Sequence, residues 1–294
     1  LLHTGTTYTH GITASGSYDF YVTETSGVNG CEGPPSRIDL IIREELSRPG
    51  IITGPTEVCL NATGQVFSVA NNPPTMPIGG TTEYVWSVPA GWTITGGQGT
   101  RQITVDVGGT AGSRTVSVIN RYTSDPRCPS PSRTFAVNVS PLSVGGTVSG
   151  TSPICLNSSV TLTLSGHTGA VQRWERRLLP AGAWNNVANT TTAYTYTPPS
   201  VGTWEFRALV QSGSCSQAYS SVFQVVVDPL SVGGTTLGGN SPICINTPTG
   251  NITLSGHIGN VVRWQWRRNG GSWNNITNTT TTLNYTPTNS GTYD

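Results

Sequence analysis

At 294 residues the chain is long enough for two to three domains, and an apolar fraction of 35% suffices for small cores. A formal net charge of +1, with only 10% charged residues, leaves no footprint for nucleic acid or an anionic membrane surface. No apolar run is long enough to span a bilayer, and no signal-peptide pattern stands at Leu1, so the start reads as processed or as cut from a longer chain.

The cations are all arginine, so the polar surface must be built mainly from Thr, Ser, Asn and Gly, and lysine–asparagine isopeptide cross-links are excluded. The 36 Gly and 20 Pro are spread along the chain as turn punctuation and do not form a disordered tract. In chain order, residues 1–46 read as the C-terminal half of a repeating unit: Gly16-Ser17-Tyr18-Asp19-Phe20 parallels Gly202-Thr203-Trp204-Glu205-Phe206, and Ile38–Ile42 reads as a closing strand. Residues 47–140 form a complete but divergent copy, with alternating strands at Glu83–Val88, Gln102–Val107, Arg114–Ile119 and Phe135–Val139. Residues 141–228 are the cleanest copy, with strands at Val160–Leu164, Trp204–Val210 and Val222–Val227. Residues 229–294 restart the pattern as the N-terminal part of a further copy, with a tight hairpin at Asn269-Gly270-Gly271.

The internal repetition is dense. Pro141-Leu142-Ser143-Val144-Gly145-Gly146-Thr147 returns 88 residues later as Pro229–Thr235. Ser152-Pro153-Ile154-Cys155 returns 89 residues later as Ser241–Cys244, and Ser165-Gly166-His167 returns after 90 residues as Ser255–His257. A unit of this length is a whole small domain copied in tandem. No segment carries a helical period, so the expected fold class is all-β: immunoglobulin-like β-sandwich domains in a linear array. The joins at Pro141-Leu142-Ser143 and Asp228-Pro229-Leu230 are short and carry proline, which predicts a semi-rigid string.

The run Tyr84-Val85-Trp86-Ser87-Val88-Pro89-Ala90-Gly91-Trp92-Thr93-Ile94-Thr95-Gly96-Gly97-Gln98-Gly99-Thr100 resembles the core motif of PKD-like domains. The later copies are similar to the immunoglobulin-like repeats of giant bacterial surface proteins, notably gliding-motility adhesins exported by the type IX secretion pathway. The resemblance implies an extracellular location on a bacterial cell surface.

Each complete copy has one cysteine near its start and one in a late loop, which predicts Cys59–Cys128 and Cys155–Cys215 as disulfides. Closing loops of this size would stabilise each domain by about 4 kcal/mol in the chain-entropy treatment. Such bonds place the protein in an oxidising compartment. Zinc is the rival reading, but no Cys-x-x-Cys occurs and no histidine is spaced as a partner. Cys31 and Cys244 remain unpaired within this chain. Either their partners lie in a longer protein, or half-domains complement between molecules so that Cys244 of one copy meets Cys31 of another in a head-to-tail fibre.

Trp86, Trp174 and Trp264 occupy the strand position at which sandwich domains bury a tryptophan. Tyr18, Trp204 and Tyr293 follow Gly-Ser or Gly-Thr at a strand start, as in a tyrosine corner, and are also read as core aromatics. Trp184, Trp273, Trp92 and Trp266 are the candidates for exposed rings. Trp184-Asn185 and Trp273-Asn274 pair an aromatic with an amide, a candidate glycan contact, although repetition in each late copy equally suits packing. His3, His10, His167 and His257 are scattered and read as loop residues. Arg173, Arg176, Arg177, Arg263, Arg267 and Arg268 cluster on the repeated hairpin, either solvating the sheet or contacting an acidic polysaccharide. Sequons at Asn61, Asn157, Asn251 and Asn275 are those expected by chance in a chain this rich in Asn and Thr.

No catalytic motif, metal site or cofactor is expected. The expected function is a non-catalytic stalk segment of a large surface adhesin, giving length and mechanical strength. Its expected partners are neighbouring repeats, other copies in a filament and surface glycans, with no nucleic acid and no membrane insertion. Two alternatives stand beside it: a carbohydrate-binding array attached to a secreted polysaccharide-degrading enzyme, and a fibre subunit that polymerises by half-domain complementation.

Overall fold

The computed structural model describes residues 5–27, 30–70, 81–124 and 128–294. Among them every regular element is a strand, and the chain divides into two compact units.

The first unit comprises Leu1–Val144 with Thr168–Ala170 and Val210–Ala218. It opens with β1 (Gly16–Val22), β2 (Thr25–Ser26), β3 (Cys31–Glu32) and β4 (Ser36–Ile42). β1 and β4 form an antiparallel ladder from Gly16↔Ile42 to Val22↔Ser36, and Cys31 lies in the connection between them. There follow β5 (Ile52–Thr53), β6 (Glu57–Cys59), β7 (Gln65–Val69), β8 (Thr82–Ser87), β9 (Thr93–Gly96), β10 (Gln102–Asp106), β11 (Gly112–Tyr122) and β12 (Arg133–Ser140). These make two four-stranded sheets, ordered β5-β7-β10-β9 and β6-β12-β11-β8. Alternation sends Phe67 and Val69, Ile103 and Val105, Val116 and Val118, and Val137 and Val139 into one shared core. Each such fully buried side chain contributes about 1.5–3 kcal/mol of transfer free energy. Trp86 is 3% exposed at the centre of this core, and its indole donates to Thr100 O at 2.9 Å. Gly97 turns the chain with φ at +82°, where a Cβ would overlap the backbone of Gln102.

The second unit comprises Gly145–His167, Val171–Leu209 and Tyr219–Asp294. Strands β13 (Thr147–Ser149), β14 (Ile154–Cys155), β15 (Val160–Ser165), β16 (Ala170–Leu178), β17 (Asn185–Val187), β18 (Ala193–Tyr196), β19 (Gly202–Gln211), β20 (Ala218–Tyr219) and β21 (Phe223–Asp228) form the first copy. They make the sheets β13-β15-β18 and β14-β21-β19-β16-β17, with β20 attached to β19. β15 alternates strictly, with Val160, Leu162 and Leu164 inward. Strands β22 (Thr235–Gly238), β23 (Ile252–Ser255), β24 (Trp264–Trp266), β25 (Asn274–Ile276) and β26 (Thr282–Leu283) repeat the pattern in the ladders β22-β23-β26 and β24-β25. The hairpin between β24 and β25 turns through positive φ at Asn269 (49°) and Gly270 (72°).

The repeated aromatics have repeated partners. Trp174 is fully buried and donates to Thr191 O at 2.9 Å, and Trp264, half-buried, donates to Thr280 O at 3.0 Å. Tyr18, Trp204 and Tyr293 each donate to the carbonyl four residues upstream, at Ala14, Ser200 and Asn289. The indole at position 204 therefore makes the bond that a phenol makes in the other two copies.

The disulfide pairing differs from the sequence expectation. Cys59 is bonded to Cys215, across a sequence separation of 156 residues, in place of both Cys59–Cys128 and Cys155–Cys215. The physical reason lies in the direction of β6. β6 runs parallel to the final strand of its sandwich, with Cys59 opposite Ser140 at the last residue of β12. Cys128 lies in the loop that precedes β12, at the other end of an eight-residue strand. At about 3.3 Å per residue that strand is roughly 25 Å long, whereas a disulfide needs Cα atoms within about 7 Å. Cys128 and Cys155 carry free thiols, as do Cys31 and Cys244.

Candidate functional site

Among the described residues the disulfide is Cys59–Cys215, and the turn that carries Cys59 recurs in the later copies. In the first unit β6 closes in the turn Cys59-Leu60-Asn61-Ala62: Asn61 takes φ of 65°, Ala62 N donates to Cys59 O at 3.0 Å, and Leu60 N donates to Ser140 O at 2.9 Å. Asparagine tolerates this left-handed backbone better than most residues. In the second unit Cys155-Leu156-Asn157-Ser158 does the same: Asn157 has φ of 68°, Ser158 N donates to Cys155 O at 3.0 Å, and Leu156 N donates to Asp228 O at 2.8 Å. Cys244-Ile245-Asn246-Thr247 repeats the turn, with Asn246 at 64° and Thr247 N donating to Cys244 O at 3.2 Å.

Cys215 reaches Cys59 on a loop that belongs, by its contacts, to the first unit. The Cα atoms of the pair are 4.9 Å apart, and Cys215 is 2% exposed. Its Sγ lies 3.2 Å from Pro141 O. Ser212 N donates to Ser143 Oγ at 2.9 Å, Gln211 Nε2 donates to Cys215 O at 3.1 Å, and Cys215 N closes onto Ser212 O at 2.9 Å. Gly213 has φ of 47°, and a Cβ there would overlap the Glu57 carboxylate and the Ser140 hydroxyl, which bond to each other. The loop is therefore fitted to the join Ser140–Ser143 by shape as well as by the bond.

The candidate glycan contacts divide. Trp184 is half-buried, with the Arg177 and Arg207 guanidinium carbons 4.5 and 4.1 Å from its ring centroid. Trp273 is 52% exposed, with Arg267 at 4.7 Å. Asn185 and Asn274 turn their amide nitrogens to their own backbone, donating to Ala183 O and Ser272 O, each at 3.0 Å. Trp266 packs on Tyr285 and Tyr293 at centroid distances of 5.6 and 5.5 Å. Trp92 is 7% exposed and packs on Phe67 inside the first core, not at the surface.

Several arginines of the hairpin cluster are already committed. Arg173 and Arg207 flank Glu175 at 2.6 and 2.7 Å, and Arg177 meets Glu205 at 2.6 Å. Burial pushes the Glu175 carboxyl up, but the hydrogen bonds and charges of Arg207 and Arg173 outweigh it and hold the group below its ordinary value. Gln224, whose Nε2 donates to Glu205 at 2.8 Å, is the main cause holding Glu205 low; burial opposes it and Arg177 reinforces it. Arg176 lies 4.3 Å from the Tyr196 ring centroid and bonds Tyr194 Oη. Arg173, Arg177 and Arg207 are thus each paired with a carboxylate of the same sheet, and Arg176 with two tyrosines.

Among the described residues no group of three or more His, Cys, Asp or Glu could hold a metal ion, and no helix is long and apolar enough to cross a membrane. His167 and His257 sit in separate copies, and His3 lies outside the described residues.

Residues 45–129 match the family model of a PKD-like domain. No curated protein matches the sequence. Solved structures with similarity include three fibronectin-type domains of chicken CNTN1 (10% identity, 84% of this chain and 91% of that one, TM-score 0.32). Titin domains I67–I69 match at 9% identity over 82% of this chain and 91% of theirs, with a TM-score of 0.47. An E-to-A variant of the same titin fragment matches at 9% identity over 86% and 91%, also at 0.47. The chain is all-β, in tandem immunoglobulin-like sandwiches, and domains of this kind are generally non-catalytic. Two successive copies, 144–229 and 232–293, match the model described as a domain of unknown function (DUF8696) over half of the chain, and the chain belongs to that family.

Proposed function

We propose that this chain is a load-bearing segment of an extracellular stalk, belonging to a large repetitive bacterial surface adhesin of the kind used in gliding motility and exported by type IX secretion. Tandem sandwiches joined by short, proline-bearing connections support this reading, and one observation carries it: consecutive copies are cross-linked by Cys59–Cys215. A tether that must survive pulling gains from such a bond, because load applied at the two ends passes through the sulfurs and bypasses the residues between them. A disulfide also fits an oxidising compartment outside the cytoplasm. The partners of such a stalk are neighbouring repeats and other copies in a bundle.

Single-molecule stretching tests the role. The oxidised chain should reach a contour length shorter than that of the reduced chain by about 510–560 Å, the reach of the 156-residue loop at about 3.3–3.6 Å per residue. Equal contour lengths in the two states would remove the mechanical argument. Micromolar binding on a glycan array, lost in Trp184→Ala with Trp273→Ala, would replace the stalk with the carbohydrate-binding reading.

A further inference from the structure

The bond between Cys59 and Cys215 has a register, and that register accounts for the four free thiols. Cys59 is the early cysteine of one copy, whereas Cys215 is the late-loop cysteine of the copy that follows it. We propose that this is the rule of the whole array: the early cysteine of each copy bonds the late-loop cysteine of the next copy, so that a ladder of disulfides staples every join. The proposal rests on the reading of the protein as a longer array.

The backbone frame that seats the Cys215 loop at the first join is present again at the second, with Pro153 and Asp228 in the places of Glu57 and Ser140. Cys155 stands opposite Asp228 in the parallel pairing of β14 with β21, as Cys59 stands opposite Ser140 in that of β6 with β12. The turn after it has the same left-handed asparagine and the same two backbone bonds. The join itself repeats, with Pro229 and Ser231 in the places of Pro141 and Ser143. Val232 pairs with Ile258 as Val144 pairs with Thr168. Cys155 is exposed, with an unbonded thiol, at a station otherwise built like that of Cys59.

Under the rule Cys155 bonds the late-loop cysteine of the copy that begins at Pro229, one repeat of 89 residues beyond Cys215. Cys128 bonds the early cysteine of the copy whose last hairpin is β1 and β4. Cys31 and Cys244 bond copies one step further out at either side. In each reaction two thiols become one Sγ–Sγ bond. Two protons and two electrons pass to an oxidised protein disulfide of the thiol–disulfide exchange class, which leaves as a dithiol.

The test extends this chain with its own repeats. Asp294 takes the place of Glu205, so residues 206–228 appended after Asp294 complete the last copy and supply one new late-loop cysteine. Oxidised with a glutathione redox pair and mapped by non-reducing peptide mass spectrometry, the extended chain should link Cys155 to the new cysteine and leave Cys244 alkylated. A bond from Cys244 to the new cysteine, or a folded chain in which Cys155 and the new cysteine both stay free, overturns the proposal. Should that extension not fold, a second one works at the other side. Tyr8 precedes Tyr18 by the ten residues that separate Tyr194 from Trp204, so residues 141–186 placed before Leu1 complete the first copy. The added early cysteine should then bond Cys128 and not Cys31, and a bond to Cys31 overturns the rule. Linkage is read independently of force, so a ladder without mechanical resistance would sink the stalk reading alone, and a stalk without the ladder would sink this one alone.

Discussion

Cys59 and Cys155 occupy the same station in two sandwiches, yet one is bonded and the other carries a free thiol. Their backbones match, with the same parallel pairing to the last strand, the same turn, and asparagines at φ of 65° and 68°, while the flanking Glu57 and Ser140 of the first station are Pro153 and Asp228 at the second. What also differs is the loop offered to them. Cys59 is met by the loop of Cys215, fitted to the join through Gly213 and Ser143. The bonded station shows that the loop of the following copy, fitted to the join, is what brings a partner to the early cysteine.

The largest expected effect breaks the bonded station. Cys59→Ser should lower the stability of the oxidised chain by about 4–5 kcal/mol in the chain-entropy treatment. Urea unfolding should show this difference, and dithiothreitol should abolish it. Next, Trp174→Ala empties the core of the copy that carries Cys215, at a cost of about 3–5 kcal/mol. Calorimetry should show the transition of that copy lowered while the transition of residues 47–140 holds its midpoint in the reduced protein.

Glu175→Gln removes a carboxylate, 3% exposed, that faces two arginines, and should cost about 2 kcal/mol, below the usual range for a buried pair because both arginines are partly solvated. The same carboxylates give a pH dependence. Glu175 and Glu205 are held below the ordinary value of 4.5 in the folded state, so their contribution is fully present above about pH 4.5 and is lost as pH falls through their folded values. A melting-temperature profile between pH 6 and 2 should therefore drop more steeply for the native chain than for the variant with both residues changed to Gln. At the small end, Asn61→Ala and Asn157→Ala should each cost about 1–2 kcal/mol, equal within error, because the two turns are alike. Cys155→Ser should leave stability within about 0.5 kcal/mol. Unequal costs at the two asparagines would mean that the stations differ locally after all.

The strands, the repeat and the burial of Trp86, Trp174 and Trp204 were legible because alternation and recurrence are properties of the sequence itself, whereas Trp264 is only half-buried. The pairing of the cysteines was not. One early and one late cysteine per copy suggests a bond within the copy, and only the parallel pairing of β6 with β12 places them at opposite ends of a strand. Trp92 was also illegible: a tryptophan after Pro-Ala-Gly looks like a loop aromatic until the turn folds it against Phe67. The arginine cluster read as charge offered to solvent, because Glu205 lies 28 residues from Arg177 and Glu175 lies 32 from Arg207 in the chain, distances that only the sheet closes.

Non-reducing peptide mapping of the oxidised, unextended chain tests the central claim most directly. One linked pair of peptides is expected, containing Cys59 and Cys215, with Cys128 and Cys155 both alkylated. Linked peptides joining Cys59 to Cys128, or Cys155 to Cys215, would contradict it.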